Sequence, residues 1–98
     1  MTITNLNRVK LGNRFAVTAT VAFDSSYPTG GESLTAEELG LVSIDMLLAE
    51  AYATAHILKY DHANSKLMLY EIDTGAFAQE DNEEDMSAVS AKIFAIGI

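Results

Sequence analysis

From Arg14 to Phe23 the chain alternates. Phe15, Val17, Ala19, Val21 and Phe23 fall on one face, and Ala16, Thr18, Thr20 and Ala22 on the other. A period of two, rich in β-branched residues, predicts a strand with one buried face. The segment from Asp24 to Gly31 is dense in turn formers and holds the only proline, Pro28; its Gly30-Gly31 pair supplies positive φ for a tight turn. Thr35-Ala36-Glu37-Glu38 has the form of a capping box, with Thr35 as N-cap and Glu38 reaching back to its amide. Gly40 stops the helix soon after. One short helical turn is therefore expected near residues 35–39.

Residues 41–58 read in two ways. Leu41, Val42, Ile44, Leu47, Leu48, Ala51, Tyr52 and Ala55 could form a helical stripe, which the alanines favour. Alternatively, Val42–Leu48 and Ala53–Tyr60 are two strands with a bend around Ala49–Ala51. The next pattern is clearer. His56–Tyr60 and Lys66–Ile72 are apolar runs flanking Asp61–Ser65, which predicts a β-hairpin with Asn64 in the left-handed region. Residues 73–85 read as a polar loop. The last run places Val89, Ala91, Ile93 and Ala95 on one face, while Phe94, Ile96 and Ile98 make the other face apolar too. A strand apolar on both faces is central in a sandwich or lies in an interface. Met46, Met68 and Met86 read as core filling.

Composition narrows the function classes. With 98 residues the chain makes one domain, and 49% hydrophobic residues suffice for a core. There is no Cys, which removes disulfide scaffolds, thiolate zinc sites and thiol catalysis and fits synthesis in a reducing cytoplasm. The start of the chain lacks a signal-peptide pattern, and no apolar run is long enough to span a membrane. The net charge of −8 argues against a nucleic-acid backbone or an anionic membrane as partner. That charge is uneven. Residues 1–23 carry Arg8, Lys10 and Arg14 and no acid, whereas residues 24–98 carry all 14 acids against Lys59, Lys66 and Lys92. The densest acidic block is residues 80–85. The division reads either as a solvated acidic loop plus a basic strand start, or as oriented docking, with a basic N-terminal arm, residues 1–13, on a body of residues 14–98 whose acidic loop faces water.

Nothing assembles into chemistry. His56 and His62 have no metal-ligand spacing. Asp61, His62 and Ser65 lie in one tight turn, where such residues are turn formers rather than a triad. Thr29-Gly30-Gly31 lacks the Gly-Lys-Ser/Thr of a phosphate loop, and the acidic block lacks the spacing of a calcium loop. The expectation is no catalytic residue, no cofactor and no metal.

Four motifs carry a resemblance. The segment Phe23 to Thr35, centred on Tyr27-Pro28-Thr29-Gly30-Gly31-Glu32, is followed by Leu39-Gly40-Leu41, by Tyr60-Asp61-His62-Ala63-Asn64-Ser65-Lys66-Leu67, and by Asp85-Met86-Ser87. In this order they resemble small virion proteins of tailed bacteriophages, of the capsid decoration (cement) type. The resemblance covers residues 14–98. The alanine-rich stretch 49–55 departs from it, where such proteins often carry a Gly-Tyr-x-Phe/Tyr strand. The resemblance implies an all-β jelly-roll or β-sandwich domain and tips residues 41–58 towards strands. It implies a non-enzymatic protein on the outer surface of a phage head, bridging neighbouring major capsid subunits, commonly as a homotrimer. On that reading Arg8, Lys10 and Arg14 are the candidate capsid contact, and Phe94, Ile96 and Ile98 the candidate subunit interface. The rivals are a tail, neck or fibre-attachment protein, and a carbohydrate-binding module using Tyr27, Tyr52, Tyr60 or Tyr70.

Overall fold

The alternation of residues 14–22 becomes the second strand, and strands make up more than half of the described residues. The computed structural model describes residues 1–24, 26–28, 30–52, 56–73, 76–79 and 85–98, with only the backbone of 71–73 and 76–79. The strands are β1 (Thr2–Leu11), β2 (Arg14–Ala22), β3 (Glu32–Ser33), β4 (Ile44–Ala51), β5 (Ile57–Asp61), β6 (Lys66–Asp73), β7 (Ala76–Gln79) and β8 (Ser90–Gly97). They form one antiparallel sheet in the order β1-β2-β8-β4-β5-β6-β3, with β7 also paired to β6.

The sheet turns a corner between β4 and β5, which share a single paired position, Glu50 with Ile57. This gives two walls around one core. Val17, Ala19 and Val21 of β2, Leu47 of β4 and Ala91, Ile93 and Ala95 of β8 come from one wall; Leu58, Tyr60, Leu67 and Leu69 of β5 and β6 come from the other. The small all-β domain that the resemblance implies is present, built as one curled sheet. Its short helical turn is the 3-10 turn Glu37–Leu39, closed by Gly40 at φ 74°. Glu38 does reach back: its carboxylate accepts from the Thr35 amide and hydroxyl, each at 3.2 Å. The N-cap position, however, falls on Ala36.

Of the two readings of residues 41–58, the strand one holds: 44–51 are a strand, paired by β8 from Ile44 opposite Gly97 to Ala51 opposite Ala91, and the ladder overrides the helix propensity of the alanines. Several local expectations are corrected, the first being the bend around Ala49–Ala51, which instead belongs to this strand. In the β5–β6 turn the left-handed residue is Ser65 (φ 55°), not Asn64. Asp61 explains the shift. Its carboxylate gathers the amides of Ala63 and Asn64 and the Asn64 side chain, so the reversal falls one residue later. Residues 76–79, read as loop, are β7. Met86 is buried as expected, but Met46 is 57% exposed, because β4 turns it to the outer face. Residues 2–11, read as part of an arm, are strand β1, paired along β2 with an irregularity between Thr4 and Asn7.

The segment before β3 is part of the fold. Tyr27 is fully buried, and its hydroxyl accepts the Leu69 amide at 3.0 Å. β3 pairs with Leu67 and Lys66 and β7 with Tyr70 to Asp73. The hydroxyl therefore fills the gap between two short strands on one edge of β6. Tyr60 makes a second buried link, donating to the Leu34 carbonyl at 2.6 Å. Gly31, at φ 105°, lies so close to β6 that a Cβ there would stand 2.7 Å from the Leu67 carbonyl oxygen. Removing either hydroxyl strands a buried backbone group. Tyr27→Phe and Tyr60→Phe should each lower stability by about 1–3 kcal/mol, measurable by urea unfolding; loss of less than a few tenths for both would show that the hydroxyls are dispensable.

Candidate functional site

The alternation that buries one face of β2, β8 and β4 delivers the other face to solvent. Registers place Met46 of β4 beside Ile96 of β8, beside Ala16 of β2, beside Val9 of β1. The next row is Leu48, Phe94, Thr18 and Asn7, and Glu50, Lys92 and Thr20 follow. Met46, Leu48 and Val9 are 57%, 61% and 59% exposed and Phe94 41%, while Ile96 is half-buried. This is a contiguous apolar band across four strands. Beside it, between Asn5 and Tyr52, opens a shallow trough of about 1080 Å³ whose floor includes Thr18, Thr20, Phe94 and Lys92. Lys92 lies 5.7 Å from the ring centre of Tyr52, within cation–π range.

The candidate interface residues therefore sit together, in part. Phe94 and Ile96 share the band. Ile98 follows β8, and its backbone is tied to the loop before β4: its amide donates to the Ser43 carbonyl, and its carbonyl accepts from Val42 and Ser43. The sequence missed Met46 and Leu48, whose place beside β8 is set by register alone.

The three N-terminal cations do not form one patch. Arg8 lies opposite Val17 and Lys10 opposite Phe15, on the core side of the β1–β2 hairpin, whereas Arg14 precedes Phe15 and faces the other way. Arg8 donates to the Gly40 carbonyl at 2.6 Å and sits 4.8 Å from the centre of the Phe15 ring. Arg14 pairs with Asp45 at 2.7 Å, joining the starts of β2 and β4 across the end of β8. Lys10 is exposed and has no ion-pair or hydrogen-bond partner among the described residues. The acidic stretch 80–84 lies outside the described residues.

The other sequence candidates resolve into structure. Tyr27 and Tyr60 are buried and Tyr70 is half-buried, its hydroxyl 3.8 Å from the Met68 sulfur, so Tyr52 is the exposed tyrosine of the four. His62 packs edge-on against Tyr60 at 4.8 Å between ring centres. Among the described residues no cluster of three His, Asp or Glu side chains could hold a metal ion. No protein-family model matches the chain, and neither a curated protein nor a solved structure is similar to it beyond chance.

Asp61 has a depressed pKa, first because the Asn64 side chain donates to its carboxylate and then because the turn amides do. A carboxylate depressed in the folded state contributes stability above its unfolded pKa, and that stability is lost as the pH falls through the folded value. The melting-temperature gap between wild type and Asp61→Ala should therefore be widest near pH 7 and close below about pH 4. A gap independent of pH would show that the ionised carboxylate does not hold the turn.

Proposed function

We propose that this protein is a non-enzymatic structural component of a bacteriophage virion, a decoration protein that binds the outer face of the head and cements neighbouring major capsid subunits. The observation that carries the reading is what the resembling motifs do. Tyr27 closes the edge of β6, Gly31 sits against Leu67, Gly40 ends the 3-10 turn and Asp61 organises the β5–β6 turn. Each connects one element to the next, so likeness at these positions is likeness in the way the chain folds. That supports kinship with the small virion proteins more strongly than an equal number of surface matches would.

The capsid contact is assigned to β1. It is the outermost strand of its wall, and one of its edges has no strand partner among the described residues. An open edge can accept an extended segment of a partner through main-chain hydrogen bonds. Lys10 adds a cation for an acidic partner, whereas Arg8 and Arg14 are occupied within the chain and serve mainly to fix β1 and β2 in place. Each contact need only be modest. Many copies on one lattice favour the assembled shell by mass action.

Two measurements test this. Antibody labelling of particles of the encoding phage, viewed by electron microscopy, should decorate the head shell; label confined to the tail or neck would overturn the head assignment. Lys10→Glu should lower the occupancy of undecorated heads several-fold with an unchanged melting temperature, since the side chain is exposed. Full occupancy would remove Lys10 from the contact. Deleting residues 1–12 is a poorer test, because it strips β1 from β2.

A further inference from the structure

We infer that the outer face of β4 and β8 is a homotypic interface, which packs against the same face of a second copy across a two-fold axis running parallel to the strands between β4 and β8. The inference stands apart from the capsid reading and concerns the isolated chain.

Three observations carry it. The band is apolar and exposed, with Met46 and Leu48 on β4 beside Ile96 and Phe94 on β8. An exposed band of large side chains spread over adjacent strands marks an interaction surface. The charges on this face are balanced, although the chain carries −8. Glu50 lies opposite Lys92, and Arg14 is paired with Asp45. The face is also complementary to itself. β4 and β8 run antiparallel in one-to-one register over Met46 with Ile96, Leu48 with Phe94 and Glu50 with Lys92. An axis parallel to the strands and midway between them exchanges β4 with β8 while keeping the row. Each residue then faces the register neighbour of its own counterpart. Leu48 meets Phe94 of the partner subunit, Met46 meets Ile96 of the partner subunit, and Glu50 meets Lys92 of the partner subunit.

The pairing recurs on the other side of the axis, as an isologous interface requires. Two sheets packed face to face keep their strands within about 30° of each other, so the rows nearest the axis stay in contact. The contact is small. With the axis between β4 and β8, the two strands that flank it on each copy overlap over about six residues, roughly 10 by 20 Å, which is below the size of standard stable interfaces. The pair therefore forms at high concentration of the chain. Such a two-fold also differs from the three-fold assembly that the family resemblance implies.

Charge complementation between two variants tests the geometry. In Glu50→Lys both facing positions of the two copies are cationic, and in Lys92→Glu both are anionic, so each variant alone should sediment as a monomer. In an equimolar mixture every facing pair is again opposite, and the mixture should recover the wild-type dimer by analytical ultracentrifugation. Effects within a chain cannot produce this rescue, because mixing leaves each chain unchanged. Both positions are exposed, and circular dichroism verifies that each variant is folded. Should either fail to fold, Leu48→Asp takes its place and must abolish the wild-type dimer. A wild-type chain that stays monomeric up to about 1 mM, or that forms a trimer, overturns the inference. So does a mixture that stays monomeric while wild type dimerises.

Discussion

Everything in this fold leans on β8 being hydrogen-bonded along both edges. Its ladder with β2 runs from Phe15 opposite Gly97 to Ala22 opposite Ser90, and its ladder with β4 runs over nearly the same residues. Phe23 and Asp24 prolong the first through bonds to Val89 and Met86. A central strand must present both faces to something. On the inner face β8 is mostly small, with Ala91, Ala95 and Gly97 around Ile93, which lets the opposite wall close over it. At Gly97 the approach is extreme: the Ser43 carbonyl occupies the place where a Cβ would stand. The loop before β4 is thereby seated on the end of β8, which sets the register that aligns Met46 and Leu48 with Ile96 and Phe94.

The opposite wall is built differently. β6 has β5 along one edge, but its other edge is served in pieces by β3, the Tyr27 hydroxyl and β7. A side chain here does the work of a strand. Since unpaired buried amides are costly, Tyr27 and Gly31 are both fixed against β6. Tyr27 is held by its buried ring and Gly31 by its close approach to β6. The same economy appears at Tyr60, whose hydroxyl satisfies Leu34 and ties the chain just before the 3-10 turn to β5. Burial raises the pKa of this phenol, which stays a protonated donor over the working range.

Much of this was legible in the sequence, and what was not has physical reasons. Period-two alternation identified β2 and β8, because each buries one face and a local pattern records that directly. The β5–β6 hairpin was legible because its apolar runs and its turn are contiguous. Residues 44–51 were undecidable locally: their alanines favour helix, and only pairing to β8, forty to fifty-three residues on, decides for a strand. β1 was missed as a strand for a related cause. Almost all of it is exposed, so it has no buried face to announce it, and β2 alone holds it extended. For the candidate site, Phe94 and Ile96 were visible as the second apolar face of one strand. Met46 and Leu48 were not, since neighbours across a sheet are a fact of register. Nor could spacing reveal that Arg8 and Arg14 are held by Gly40 and Asp45.

Those two contacts change what the uneven charge means. Counted along the chain, the first 23 residues are a basic end on an acidic body. In the folded protein, Arg14 is neutralised by an acid at 2.7 Å and Arg8 is bound to a carbonyl. Fields from exposed charges fade over about 8 Å at physiological salt, which is short beside a molecule measuring 44 by 24 by 21 Å. The net −8 therefore does not act as one charge on an approaching surface. What an incoming protein meets is local. Over β4 and β8 it meets apolar side chains and one acid–base pair, so the molecule can stay strongly acidic while keeping a face that another acidic protein can approach without repulsion.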